Sequence, residues 1–264
     1  MKITDIKGIY LGSGLIGIGR KWGHIDSPTP DEQTAIDFLS YATKLGIFYF
    51  DTAASYGTSE ERLGKFLSRL SPEKREQLIV ATKFGDHWDT QKQEAYVDHS
   101  YTALKSSLDR SLTLLNKIDL LYLHKAHTQA LQSPDVEKAL KYAKAQGIHH
   151  FGASVSDKEA AHLALNNDFY SVIQLPYNIA NPTFSEIIDI ATKKGKIVVI
   201  NRPFNMGEVL YKKQANNSDK TEAFKFIIQK KFNGFILTGT KSAKHLQENY
   251  DAFIEAENRR ISQQ

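Results

Sequence analysis

Lys44-Leu45-Gly46-Ile47-Phe48-Tyr49-Phe50-Asp51-Thr52 closes an amphipathic segment on a glycine, runs as a short apolar strand and stops at an acidic residue. The same device returns at Ala145-Gln146-Gly147-Ile148 and at Lys193-Lys194-Gly195-Lys196, where a glycine again ends a helical period just before an apolar run. Outward from these, strand-length apolar runs recur at Leu15–Ile18, Ile47–Phe50, Leu78–Thr82, Ile118–Leu123, Ile148–Ala153, Ser171–Leu175, Ile197–Ile200 and Gly234–Leu237, eight in all. Amphipathic stretches fill the gaps, with Ser59 as a candidate helix cap and Pro134, after Ser133, as a first-turn proline. Strand then helix at about 30 residues per unit means parallel strands. An open doubly wound sheet and a closed (β/α)8 barrel both satisfy that pattern. Eight units in 264 residues, with no Pro/Ser/Gly-rich linker, favour the barrel, as one domain over residues 1–264.

The composition narrows the chemistry. A balance of 34 Lys+Arg against 30 Asp+Glu leaves +4, an ordinary solubility charge rather than a nucleic-acid footprint. The absence of cysteine excludes disulfide frameworks, thiolate zinc, iron–sulfur ligation and cysteine nucleophiles together. Met1-Lys2-Ile3-Thr4-Asp5-Ile6-Lys7 alternates charged and apolar residues instead of forming the apolar core of a signal peptide, and no apolar run reaches membrane-spanning length. The expectation is a cytoplasmic chain acting on small molecules, with no nucleic-acid or membrane partner. Nothing in the sequence fixes an oligomeric state.

In a barrel of parallel strands the working residues stand where the strands end. The second predicted strand ends in Asp51-Thr52, the third in Thr82-Lys83, the fourth in His124-Lys125, the fifth in Ser154 and the sixth in Gln174. Barrel closure aims Asp51, Lys83 and His124 into one mouth, and Tyr56, five residues past Asp51, can lean back over it. A phenol beside an ammonium has its ionised form stabilised, so the Tyr56 pKa is expected to fall. Asp51 keeps Lys83 charged and oriented, and His124 can polarise a carbonyl oxygen. This is equipment for giving a proton to an oxygen that gains negative charge as hydride adds to a carbonyl. The side chains hold no hydride of their own, so a nicotinamide must supply it.

The chain resembles the aldo-keto reductase superfamily in FDTAASYGTSEERLGKFL from Phe50, IVATKFG from Ile79, SLDRSLTLLNKIDLLYLHKA from Ser107, GIHHFGASVSD from Gly147, IQLPYNI from Ile173 and GTKSAKHLQENY from Gly239. The resemblance implies a (β/α)8 barrel that binds NADP(H) or NAD(H) at the strand ends and reduces aldehydes or ketones, or oxidises alcohols or sugars. It puts the catalytic tetrad on Asp51, Tyr56, Lys83 and His124, with Tyr56 as general acid. Ser154 and Gln174 correspond to residues that hold the nicotinamide carboxamide. Ser242, Glu248 and Asn249 correspond to the adenine end. Gly19 and Arg20 fall at the family's first strand end, with Arg20 where Thr or Ser is more usual. After the seventh strand the family often has a stacking aromatic and Ser-Pro-Leu, whereas here Asn201-Arg202-Pro203-Phe204 stands, and Arg202 is a candidate for the pyrophosphate. The basic position where the family meets the 2′-phosphate falls near His245, with Lys241 and Lys244 close by, which favours NADP(H) over NAD(H). No long C-terminal loop follows the last helix, and an open pocket is expected.

Several patterns have plainer readings. Gly12-Ser13-Gly14-Leu15-Ile16-Gly17 spells a dinucleotide fingerprint, but nothing helical is expected before about Asp31, so the strand-to-helix context is missing. Gly234 to Ser242 lacks the Gly-Lys-Ser adjacency of a P-loop. His124 with His127, and His149 with His150, come without an acidic partner at ligand spacing, so no metal site is expected. Trp22 and Trp88 sit in loops after the first and third predicted strands, as candidate walls of a substrate pocket. Two other functions compete with carbonyl reduction: a Schiff-base lyase using Lys83 as an amine nucleophile, and a cofactor-binding regulatory module with little turnover.

Overall fold

The computed structural model describes residues 3–22, 28–208 and 217–261. Its strands, in chain order, are β1 (Ile9–Gly14), β2 (Tyr49–Asp51), β3 (Ile79–Phe84), β4 (Asp86–Asp89), β5 (Glu94–Val97), β6 (Leu120–Leu123), β7 (Phe151–Ser154), β8 (Tyr170–Pro176), β9 (Ile197–Asn201) and β10 (Gly234–Thr238). All but β4 and β5 are parallel and close a barrel in the order β1-β10-β9-β8-β7-β6-β3-β2, with β1 pairing both β10 and β2. Helices, from Glu32–Lys44 through Ala243–Ile261, cover the outside. The expected (β/α)8 barrel is therefore present. Gly46, Gly147 and Gly195 all carry positive φ, and that left-handed turn lets one device end three helices against three strands.

The first strand is one of the places where the chain departs from expectation. Leu15–Ile18 is not a strand: Ile16–Gly19 forms a single helical turn on top of the barrel, and β1 is the preceding segment Ile9–Gly14. Gly12 lies in that segment, and the packed interior leaves no room for a side chain there. A side chain at Gly12 would stand 2.8 Å from Leu237 Cδ2 and 3.0 Å from Tyr49 Cδ1. The apparent dinucleotide fingerprint thus does run from a strand into a helical turn, contrary to the reason given for rejecting it. Its strand nevertheless belongs to a closed barrel, and its helix ends after four residues. The second departure is the helix Ser59–Leu67, whose cap position is Thr58; Ser59 instead donates its hydroxyl to Leu15 O at 3.0 Å.

The barrel interior is filled by Tyr49, Ile79, Ala81, Leu120, Tyr122, Val172, Val199, Phe235 and Leu237, with Ile3 and Ile6 joining the same cluster from the N-terminal segment. Tyr49 and Tyr122 hydrogen-bond through their hydroxyls at 2.9 Å, and Tyr49 stacks on Phe235 at 4.1 Å between centroids. This interior layer fixes the next. A strand returns to the same face every second residue. Two positions beyond Tyr49, Ala81, Tyr122, Val172 and Val199 stand Asp51, Lys83, His124, Gln174 and Asn201.

Candidate active site

Those residues form the polar layer above the apolar plug, and the ion pair at its centre is buried. Lys83 is fully buried, and its ammonium donates to Asp51 Oδ1, to Thr52 O at 2.8 Å and to Tyr56 Oη at 3.4 Å. All three N–H groups are spent. Gln174 Nε2 donates to the other Asp51 oxygen at 2.8 Å, and Ser154 Oγ donates to Gln174 Oε1 at 3.1 Å. Two residues expected at the nicotinamide carboxamide are thus joined to Asp51 by a chain of hydrogen bonds.

Tyr56 reaches this layer because its loop is braced from several sides. Leu15 N donates to Asp51 O, Ala54 N to Lys83 O and Ser59 N to Tyr56 O. Thr52 Oγ1 donates to Ser59 Oγ at 2.9 Å. Gly19 presses against the same loop: a side chain there would lie 1.9 Å from Tyr56 O, and one at Gly57 would lie 2.4 Å from Gly19 O. Gly19, expected beside the cofactor, therefore has a packing duty of its own. It lets the loop that carries Tyr56 close on the first helical turn.

The electrostatics follow from burial. For Lys83, burial opposes the charge, but Asp51 and then Tyr56 outweigh it and hold the pKa above the ordinary lysine value. Burial raises the Asp51 pKa against the pull of Lys83 and Gln174. Burial likewise outweighs Lys83 at Tyr56, whose pKa rises. This corrects the expectation of a lowered phenol: the ammonium is present, but the loss of water around the phenolate is the larger effect. His124 is held well below its ordinary value by burial and then by Lys83, so it is neutral at neutral pH. A Schiff-base role for Lys83 would need a free amine, which these three hydrogen bonds and the raised pKa oppose.

One neighbour of the tetrad was not read from the sequence. Asp86, buried at the start of β4, places Oδ2 3.4 Å from His124 Nδ1 without a hydrogen bond between them. The Tyr56 and His124 rings stand edge to face at 5.9 Å. Trp88 follows two residues after Asp86, and the Arg20 guanidinium lies 4.9 Å from its ring centroid and 5.6 Å from that of Trp22. Arg20 therefore joins the two tryptophans expected to line the substrate pocket.

Among the other expected cofactor residues, Asn201 belongs to the same layer, and the rest lie outside it. Asn201 ends β9 with Oδ1 buried and unpartnered, and Arg202, at φ +55, is exposed. Lys241 Nζ donates to Pro28 O at 2.7 Å, and Ser242 Oγ accepts from His245 N at 3.3 Å at the start of the helix Ala243–Ile261. Glu248 pairs with Lys220 at 2.6 Å, and Asn249 is buried. His127 caps the helix Thr128–Leu131 through Nδ1.

Comparison with known proteins agrees with this architecture. The chain is 32% identical over 156 residues to an uncharacterized oxidoreductase of Bacillus subtilis, YqkF, covering 57% of this chain and 46% of that protein. It is 27% identical over 222 residues to the L-galactose dehydrogenase of Arabidopsis thaliana, covering 77% and 64%. Against these two curated relatives it thus spans roughly half to two thirds of their length. A solved aldo-keto reductase from Bacillus halodurans, in its holo form, shares the fold with a TM-score of 0.75 at 21% identity, over 94% of this chain and 91% of that one. Among the described residues no helix is long and apolar enough to cross a membrane. The sequence pattern described as the Aldo/keto reductase family matches residues 10–223, and the chain belongs to that family.

Proposed function

We propose that this chain is an NADP(H)-dependent oxidoreductase that reduces the carbonyl of small aldehydes or ketones, or oxidises the corresponding alcohols or sugars, with Tyr56 as the proton donor. The observation that carries this reading is the buried Lys83 ammonium divided between Asp51, Thr52 O and the Tyr56 hydroxyl. The family uses nicotinamide cofactors, and the residues present fit one. Asn201 Oδ1 is a buried acceptor without a partner, Ser154 and Gln174 offer a hydroxyl and an amide in the same layer, and Arg202 is an exposed cation at the strand end. Lys241, Ser242 and His245 would meet the adenosine phosphate at a helix start, with Glu248 and Asn249 one turn on. When bound, the cofactor supplies the hydride.

The chain's own residues do the rest. His124, neutral, offers a ring nitrogen to the carbonyl oxygen. As the carbonyl carbon is reduced, its π electrons move to oxygen, and that oxygen takes the Tyr56 proton. The phenolate left behind faces Lys83, whose charge Asp51 maintains. In oxidation each proton movement runs in reverse. A phenol kept protonated by burial suits the reductive direction, because it surrenders its proton only as the oxygen becomes strongly basic.

The test is a titration with NADPH and then NADH, followed by turnover on a panel of aldehydes, ketones and sugars. Binding of NADPH about tenfold tighter than NADH, roughly 1.4 kcal/mol, together with turnover that Tyr56→Phe slows by about 10²–10⁴-fold, is the expected result. Tight cofactor binding without turnover of any substrate would establish the regulatory module instead.

A further inference from the structure

The mouth holds a strong cation that the chemistry above leaves idle. Arg20 is half-buried beside Tyr56, and its Nε is buried with no hydrogen-bond partner. Among the described residues the side chain forms no ion pair: Asp86, whose charge acts on Arg20, is turned to His124 instead. Lys83 is spent on Asp51, and His124 is neutral. Withdrawing a guanidinium N–H from water without giving it an acceptor is costly. Two indoles beside it, at 4.9 and 5.6 Å, provide apolar walls but accept no hydrogen bond in the guanidinium plane.

A planar fork of N–H donors matches a carboxylate or phosphate, and indole faces match the aromatic or apolar body that carries it. We propose that the preferred substrate is a carbonyl compound bearing an anionic substituent, a carboxylate or phosphate, which Arg20 holds against Trp22 and Trp88. The carbonyl half of this statement rests on the reductase reading. The anion subsite rests on Arg20 and the two tryptophans alone.

Trp22 and Trp88 are the two tryptophans of the chain, so indole fluorescence reports this subsite directly. Titration of the full chain with benzoate, which the enzyme cannot reduce, is expected to change the emission at concentrations at least about tenfold lower than neutral benzamide requires. Phenyl phosphate in the same titration separates a carboxylate preference from a phosphate preference. In turnover, kcat/KM for para-carboxybenzaldehyde should exceed that for its neutral methyl ester by about tenfold or more. Arg20→Met should collapse both preferences, and Arg20→Lys, which keeps the charge but loses the fork, should retain part of them. Equal response to benzoate and benzamide, or an acid-to-ester ratio that Arg20→Met leaves intact, overturns the proposal. So does an Arg20→Met variant that loses NADPH binding and keeps the ratio, since Arg20 then serves the cofactor. Benzoate selectivity without reduction of any carbonyl sinks the reductase reading and leaves the anion subsite standing.

Discussion

Two tyrosine settings lie in and just above the barrel interior and differ in what surrounds the phenol. In the plug, Tyr49 and Tyr122 are fully buried, satisfy each other's hydroxyls at 2.9 Å and have pKa values pushed far above that of a free phenol by burial first. In the layer above, Tyr56 is also raised by burial, but Lys83 opposes that rise. Burial is common to both regions; a paired ammonium is the difference. The plug hydroxyls stay protonated as structural hydrogen bonds, while the Tyr56 hydroxyl faces a cation able to stabilise it after the proton has gone.

The largest expected break in this contrast is Tyr56→Phe, which removes the proposed proton donor and keeps the ring. Reduction should slow by about 10²–10⁴-fold, the usual contribution of a positioned general acid, with cofactor binding retained. Turnover within a factor of two of the wild type on every accepted carbonyl would reassign the acid. Lys83→Met should also abolish turnover, because the phenolate then has no counter-charge, and it leaves Asp51 buried without its cation. The two variants separate by stability: Lys83→Met should unfold at lower denaturant, Tyr56→Phe at nearly the wild-type midpoint.

The plug should respond in stability alone. Tyr49→Phe strands the Tyr122 hydroxyl in an apolar interior and should cost about 1–3 kcal/mol in urea unfolding. Tyr49→Phe with Tyr122→Phe should recover part of that loss, since no hydroxyl is then orphaned. A double variant as damaged as the sum of the singles would mean the hydroxyls do not depend on each other. Gly152→Ala sharpens the same point through shape, because its methyl would lie 2.4 Å from the Tyr122 ring. Overpacking of that kind costs about 1–3 kcal/mol.

The pH profile reads both layers without mutation. His124 is neutral well below its ordinary value and Tyr56 stays protonated above its own. Reduction should therefore hold a plateau across neutral pH and decline only on the alkaline side of about pH 10, whereas oxidation, which needs the phenolate, should rise toward that side. An alkaline decline of reduction below about pH 9 would mean that Lys83 dominates over burial at Tyr56.

These layers were unequally legible in the sequence. Asp51, Lys83, His124 and Gln174 could be read because each ends an apolar run, and a polar residue at such a boundary stands out. Their common inward face, two residues beyond Tyr49, Ala81, Tyr122 and Val172, depends on register and needed the structure. Asp86 escaped because β4 and β5 carry no apolar alternation: Glu94–Val97 is exposed on both faces, so the hairpin leaves no periodic trace. β1 escaped because a glycine signals weakness in isolation, whereas Gly12 is required by the side chains of Tyr49 and Leu237 arriving from β2 and β10. Glu60, in a segment read as a helix start, is buried and accepts from Thr82 Oγ1 at 2.6 Å, a tertiary contact no local pattern announces.

The smallest expected effect belongs to another lysine with two close partners. Lys65 bonds Glu32 at 2.6 Å and Glu61 at 2.7 Å, so on distances alone it is tied more heavily to carboxylates than Lys83 is. Its side chain and both partners are more than two-fifths exposed, and water and salt screen the attraction while holding three long side chains costs entropy. Lys65→Met should leave the denaturation midpoint and turnover unchanged within error, with any small shift vanishing as salt is added. Lys83 has a single carboxylate, yet its removal should be felt in both measurements. A destabilisation by Lys65→Met as large as that of Lys83→Met would mean that partner number, and not the exclusion of water, sets the strength of an ion pair in this barrel.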